Sequence, residues 1–519
     1  MSRPTRLILG VATLLAVVAG LLWWTRSVRL TPLEPNRLAA MSETEQVAWL
    51  IERALERSER PGFIRKKLYE WFPRLRTKWE PFHDEFATLT RACAEYDLWE
   101  PLQRLRRWAR DPLDKDSLHF AEAQLWARRG DTAKASQTMR GILDIAVKAR
   151  AYSTVATELN RAGQRDEARR VLQEAVAQLP QDKDLIVSMA AQLGFPDLAE
   201  QAATRIADRM FREHALAADV VPAYARAGQD SEAIRVARQI SDRVVRGLAY
   251  AEIAHTRMQR GQWTEAVALI EQAREPTGYA RVARYLAGQG RPALARPLWQ
   301  KAEQLARRLP EPSRSRALFQ IATEYARAGD LDAAMRLCNQ ADEAKGRPES
   351  VRAFHAIARA YAAKGKREQA VAVVEQRFPS LASTVIPYSL LARELYRNGY
   401  YEDARLVLQR LHARLQREFP RNWYTDYAWL FTVDSLASPD TLPLAREIIG
   451  WLERETQSIT NPRERYFLDR RLAVLHAQTG DLPRAVHYAA RLPHNESQAS
   501  ALIEILQVVV ERRESREGR

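Results

Sequence analysis

Residues 313–341 read SRSRALFQIATEYARAGDLDAAMRLCNQA. Gly329 divides this stretch into two helical halves. A small residue, Ala322, stands seven positions before the glycine, and a large one, Tyr325, four before it. Ala334 follows five positions after it. Glycine takes the left-handed backbone conformation that ends a helix without a Cβ penalty. The stretch is therefore a helix, a tight turn and a second helix. The two alanines let the helix axes approach to about 8–10 Å where they cross.

The same signature recurs along the chain. Glycine is followed five residues later by alanine at Gly130/Ala135, Gly163/Ala168, Gly194/Ala199, Gly228/Ala233 and Gly261/Ala266. It recurs again at Gly290/Ala295, Gly329/Ala334, Gly365/Ala370, Gly399/Ala404 and Gly480/Ala485. The first nine glycines are 29 to 39 residues apart. The last interval, 81 residues, spans two units, with a degenerate turn near Ser438-Pro439-Asp440. Position seven before the glycine is alanine in eight units, with Val187 and Val221 as the exceptions. No single hairpin buries its apolar face, but a stack of hairpins does.

These residues resemble the tetratricopeptide repeat in the small residue, the large apolar residue, the glycine and the alanine at their offsets. Pro180, 17 residues after Gly163, matches that family's closing proline. The resemblance spans about residues 115–495 and implies an all-α, right-handed superhelical solenoid of helix-turn-helix repeats. It says almost nothing of function. Pro222 falls inside a first helix, where it should kink the chain. Upstream, Asp97 stands in the glycine slot 33 residues before Gly130, with Leu102 in the alanine slot. Residues 41–114 thus read as a Trp-rich helical N-terminal cap or degenerate repeats, with Trp49, Trp71, Trp79, Trp99 and Trp108 as packing groups. Residues 496–510 read as a C-terminal capping helix and 511–519 as a disordered tail.

Leu7 to Trp24 is an uncharged run of 18 residues flanked by Arg3 and Arg6, then by Arg26 and Arg29. A helix of that length just spans a hydrocarbon core of roughly 30 Å. Bulky Leu21, Leu22, Trp23 and Trp24 stand where a signal peptidase would need small residues. Residues 1–25 therefore read as an uncleaved transmembrane anchor and 26–40 as a linker. Two arginines on each side leave the orientation unsettled by charge. The usual behaviour of short N-terminal anchors places the solenoid outside the cytoplasm, on a bacterial inner membrane.

The 519 residues carry 80 basic and 65 acidic groups, a net charge of +15. The basic residues are 69 Arg and 11 Lys, a skew that GC-rich coding produces as readily as function does. The two cysteines, Cys93 and Cys338, exclude a disulfide framework or a cysteine-built metal site. Phosphate-loop, zinc-protease and nucleophile-elbow motifs are absent. The expectation is a binding protein, not an enzyme, with no cofactor and no metal.

The resemblance turns the first helix of each repeat toward the concave surface, through positions two, six and ten before the glycine. Nine of those thirty positions are arginine: Arg128, Arg161, Arg226, Arg284, Arg327, Arg359, Arg393, Arg397 and Arg470. One, Asp184, is acidic. Five of the nine lie two before the glycine, where the helix dipole favours a cation by about 0.3–1 kcal/mol whatever the ligand. That effect does not reach Arg284, Arg359, Arg393 or Arg470. The expectation is a basic groove that binds an acidic protein segment, with no nucleic acid, in a scaffold or adaptor of an envelope complex. The alternatives are a receptor for an anionic polysaccharide and an enzyme on a helical superhelix.

Overall fold

The computed structural model describes residues 32–59, 82–109, 111–179, 183–341, 348–378, 381–418, 423–457 and 459–517. The apolar run 7–24, Trp71, Trp79 and Pro180 lie outside them. Among the described residues no helix is long and apolar enough to cross a membrane. Helices are joined by turns throughout, and no strand occurs among the described residues.

All ten repeat glycines have φ between 69° and 85°. The chemistry of one turn shows why. Gly329 N–H donates to the Ala326 carbonyl and Asp330 N–H to that of Tyr325, both at 3.0 Å, which closes the first helix. The Asp330 carboxylate then accepts from Ala333 N–H at 3.1 Å and opens the second. Asp131 and Asp481 do the same after Gly130 and Gly480. Asp97 also takes a left-handed conformation, φ 53°, in the slot its register assigned to glycine, and Leu102 is fully buried. Ala322 and Ala334 are likewise fully buried.

The chain forms two compact units. In the unit 122–444, the A and B helices of the repeats from Ile145–Arg161 to Tyr401–Glu418 pack as hairpins. The A helices Arg243–Gln259, Pro276–Gly288, Ser313–Ala328, Pro348–Ala363, Leu381–Arg397 and Trp423–Leu436 touch in series. The break expected at Pro222 takes the form of a π-turn, Leu216–Val220. The helix then resumes as Val221–Arg226 with the proline in its first turn, where no intrahelical N–H is needed.

A recurring polar clamp ties one repeat to the next. Glu303, on the B helix Pro292–Arg307, accepts from Tyr325 Oη at 2.9 Å on the next A helix. It also receives a fork from Arg336, at 3.0 and 3.1 Å, on the next B helix. Glu200 holds Tyr224 and Arg235 in the same way, and Glu375 holds Tyr388 and Arg410. Burial pushes the Glu200 and Glu303 carboxyls up, but the arginine and tyrosine bonds outweigh it and leave both below the ordinary range. Much of the arginine content thus joins repeats.

The unit formed by 1–121 and 445–519 joins sequence-distant helices. Glu43–Glu59 and Phe82–Glu95 pack on Asn495–Glu517. Arg57 Nε donates to Gln498 at 3.0 Å, and Arg91 pairs with Glu514. The segments expected as opposite caps therefore cover each other. The helix continues to Glu517, beyond the expected limit at Val510. Its charged end is tied down by Arg512, which donates to the Ala477 carbonyl at 3.1 Å, and by Arg513 over the Tyr96 ring. Within the expected linker, Pro35–Leu38 forms one helical turn and buries Leu38.

Candidate functional site

The A helices carry the nine arginines, and eight of these fall in the unit 122–444. Arg470 belongs to the other unit, where it pairs with Glu504 and donates to Ser500 at 3.1 Å. Arg226 is exposed at the end of its helix. Six of the remaining seven meet a carboxylate, on the next A helix, one turn back on their own helix, or in the turn after the next A helix. Arg128 and Arg161 meet Glu158, at 2.9 and 3.7 Å. Arg284 and Arg327 meet Glu324, at 2.6 and 3.0 Å. Arg359 pairs with Glu394 at 3.0 Å, and Arg397 with Asp440 at 2.5 Å.

This corrects the expectation of a bare basic wall. The carboxylates Glu158, Glu324 and Glu394 stand five residues before their glycines, a position absent from the inward-facing set. A residue there lies three or four places along the helix from those at two and nine before the glycine, so it shares their face. The surface is a lattice of alternating charge in which Arg128, Arg284 and Arg359 reach across to the next repeat's glutamate, while Arg161 and Arg327 meet the same carboxylates from their own helix. The repeated glutamate at one offset was the signal in the sequence.

Arg393 is different. It lies half-buried on Leu381–Arg397 between the Arg359–Glu394 and Arg397–Asp440 pairs. Its Nη1 donates a long bond, 3.4 Å, to the Ser435 carbonyl. Its Nε is enclosed without a hydrogen-bond partner among the described residues. Burial, then the charges of Arg397 and Arg359, hold its pKa below the ordinary guanidinium value, with Glu394 and Asp440 acting the other way. A half-buried cation short of acceptors favours the approach of an anion.

A cavity of about 260 Å³ opens between three successive A helices, Arg243–Gln259, Pro276–Gly288 and Ser313–Ala328. Glu252, His255, Arg281, Arg284, Glu324 and Arg327 line it. His255 stands at the inward-facing offset six before Gly261 but was passed over in a count of charged residues, and Arg281, nine before Gly290, stands outside the inward-facing set. No group of His, Cys, Asp and Glu suited to a metal ion occurs among the described residues. Cys93 and Cys338 are both buried, and burial pushes the Cys93 thiol up to about 12.

Fold and surface together define a helical repeat protein with a polar, charge-patterned A-helix face. No protein-family model and no curated protein matches the chain. Among solved structures it is similar to the pentatricopeptide repeat protein PPR10 from maize, at 15% identity, covering 88% of this chain and 76% of that one, with a TM-score of 0.20. It is also similar to a circular tandem repeat protein with novel repeat topology, at 14% identity, covering 94% and 100%, with a TM-score of 0.18. Neither likeness carries an argument about function.

Proposed function

We propose that this chain is a membrane-anchored scaffold of tetratricopeptide-repeat type that holds an acidic segment of a partner protein against its A helices. The anchor is residues 7–24, and the repeats lie outside the cytoplasm in a bacterial envelope complex. The glycine and alanine register supports the repeat type, and the uncharged run between arginine pairs supports the anchor. No cofactor or catalytic step is part of this function. The observation that carries the choice of partner is Arg393. Its flanking arginines are paired, while its own guanidinium lacks a carboxylate among the described residues and is half withdrawn from water. An incoming carboxylate completes that set with a charge-assisted fork.

The test is affinity capture from membranes with the tagged, detergent-solubilised full chain. Wild type should retain an acidic protein, and retention should fade as salt rises toward 1 M, where the Debye length is about 3 Å. Arg393→Gln should lose the partner, and Arg238→Gln, on an exposed B-helix site, should keep it. Equal, salt-insensitive capture by both variants refutes the acidic-segment reading. Capture of an anionic polysaccharide in place of protein replaces scaffold by polymer receptor. Release of the chain from membranes by carbonate washing refutes the anchor.

A further inference from the structure

We propose that the cavity between Arg243–Gln259, Pro276–Gly288 and Ser313–Ala328 is a carboxylate pocket that accepts one acidic side chain of the bound segment. Its guanidiniums turn from Glu324 to the incoming group. The inference rests on the reading that the A-helix face binds an acidic segment, and it adds a second, separate contact to Arg393.

The argument is one of donors and acceptors. Arg281, Arg284 and Arg327 together bring about fifteen N–H donors. Within the cavity, Arg284 donates to Glu324 Oε2 at 2.6 Å and Arg327 to Oε1 at 3.0 Å, while Arg281 donates to Glu252. Arg281 Nε lies 4.0 Å from Glu324, an ion pair without a hydrogen bond. Most of the donors thus have no acceptor among the described residues. Two carboxylates against three guanidiniums leave one positive charge in excess, before His255 is considered. Glu324 is 4% exposed, and all three arginines remain at least one-third exposed. The acceptor is therefore fixed and the donors are free to swing outward. Glu324 acts as an internal stand-in for the ligand, and it holds the arginines oriented toward the space a second carboxylate enters. A volume of about 260 Å³ admits a glutamate or aspartate side chain and excludes a whole peptide.

Calorimetry on the detergent-solubilised full chain, with a hexaglutamate peptide as probe, tests this. Arg284→Gln should weaken binding about tenfold, as expected for loss of one charge-assisted pair. Arg281→Gln should act in the same direction. Glu324→Gln removes the internal competitor and should tighten binding several-fold, the opposite sign from any loss through misfolding. Circular dichroism checks the fold of each variant. If Glu324→Gln does not fold, the two arginine variants decide the matter. Wild-type affinity in both arginine variants overturns the pocket. If Arg393→Gln weakens binding while those two do not, the scaffold reading stands and the pocket falls. A wild-type chain that binds no hexaglutamate removes both. Glutarate should displace the peptide from wild type and should shift the His255 ring resonance. Inorganic phosphate that competes better than glutarate overturns the assignment to carboxylate.

Discussion

Replacing Glu303 should loosen the joint between two repeats. Its carboxylate accepts Tyr325 Oη at 2.9 Å, two Arg336 nitrogens at 3.0 and 3.1 Å and Arg307 at 3.0 Å. The Tyr325 ring stacks on Trp299 with centroids 3.9 Å apart, so the hydroxyl cannot turn elsewhere without unstacking. Breaking a fully buried pair costs about 3–5 kcal/mol. The two arginines are about half exposed and regain water, which removes much of that. Glu303→Gln keeps one acceptor oxygen and should cost about 1–2 kcal/mol, on the scale of one charged hydrogen bond. Glu303→Leu leaves Tyr325 Oη buried without an acceptor and should cost about 3 kcal/mol. The control is Glu271→Gln, an exposed partner of Lys301, for which a loss of under about 0.5 kcal/mol is expected. Repeat arrays do not unfold as one unit, so hydrogen exchange across residues 292–340 is the direct assay, with urea unfolding beside it. The sign with pH follows from the carboxyl being held below its ordinary value. The stabilisation is full above the unfolded pKa, about 4.3, and is lost as pH falls through the lower folded value. Glu303→Gln should flatten that acid limb. Equal exchange in Glu303→Leu and Glu271→Gln would refute the reasoning.

Two further outcomes follow from the repeat register. Ala334→Leu should overpack the A–B crossing and lower the unfolding midpoint by an amount equivalent to about 1–3 kcal/mol; an unchanged midpoint would mean the crossing lies elsewhere. Gly365→Ala should destabilise more than Gly329→Ala: both have positive φ, but a Cβ at 365 would stand 2.6 Å from the Tyr400 ring, against 3.5 Å from flexible Lys364 at 329. Equal losses in thermal melts would show that Tyr400 yields freely.

The hairpins were legible because their determinants are local. A left-handed turn admits glycine and little else, and a close crossing admits alanine, so each repeat announces itself within about ten residues. Asp97 shows the limit of that code, since it fills a glycine slot with a residue that tolerates positive φ less well. The charge pattern was only half legible. Arg284 and Arg359 stood out at inward-facing offsets, but the partners that neutralise them, Glu324 and Glu394, lie 40 and 35 residues away on another helix. The Tyr–Glu–Arg clamps were hidden for the same reason: Glu200, Glu303 and Glu375 stand at different offsets in their repeats, and only packing aligns them. The embrace of Glu43–Glu59 by Asn495–Glu517 left no local trace at all.

That embrace has a consequence for biosynthesis. Arg57 and its partner Gln498 are 441 residues apart. At about 5–20 residues per second, the ribosome supplies the second between about 20 and 90 seconds after the first. During that interval the apolar face of Glu43–Glu59, with Val47, Leu50, Ile51 and Ala54, has no Asn495–Glu517 helix to cover it. The middle repeats, whose neighbours are close in sequence, can assemble as they emerge. A helix made early is therefore among the last to be covered.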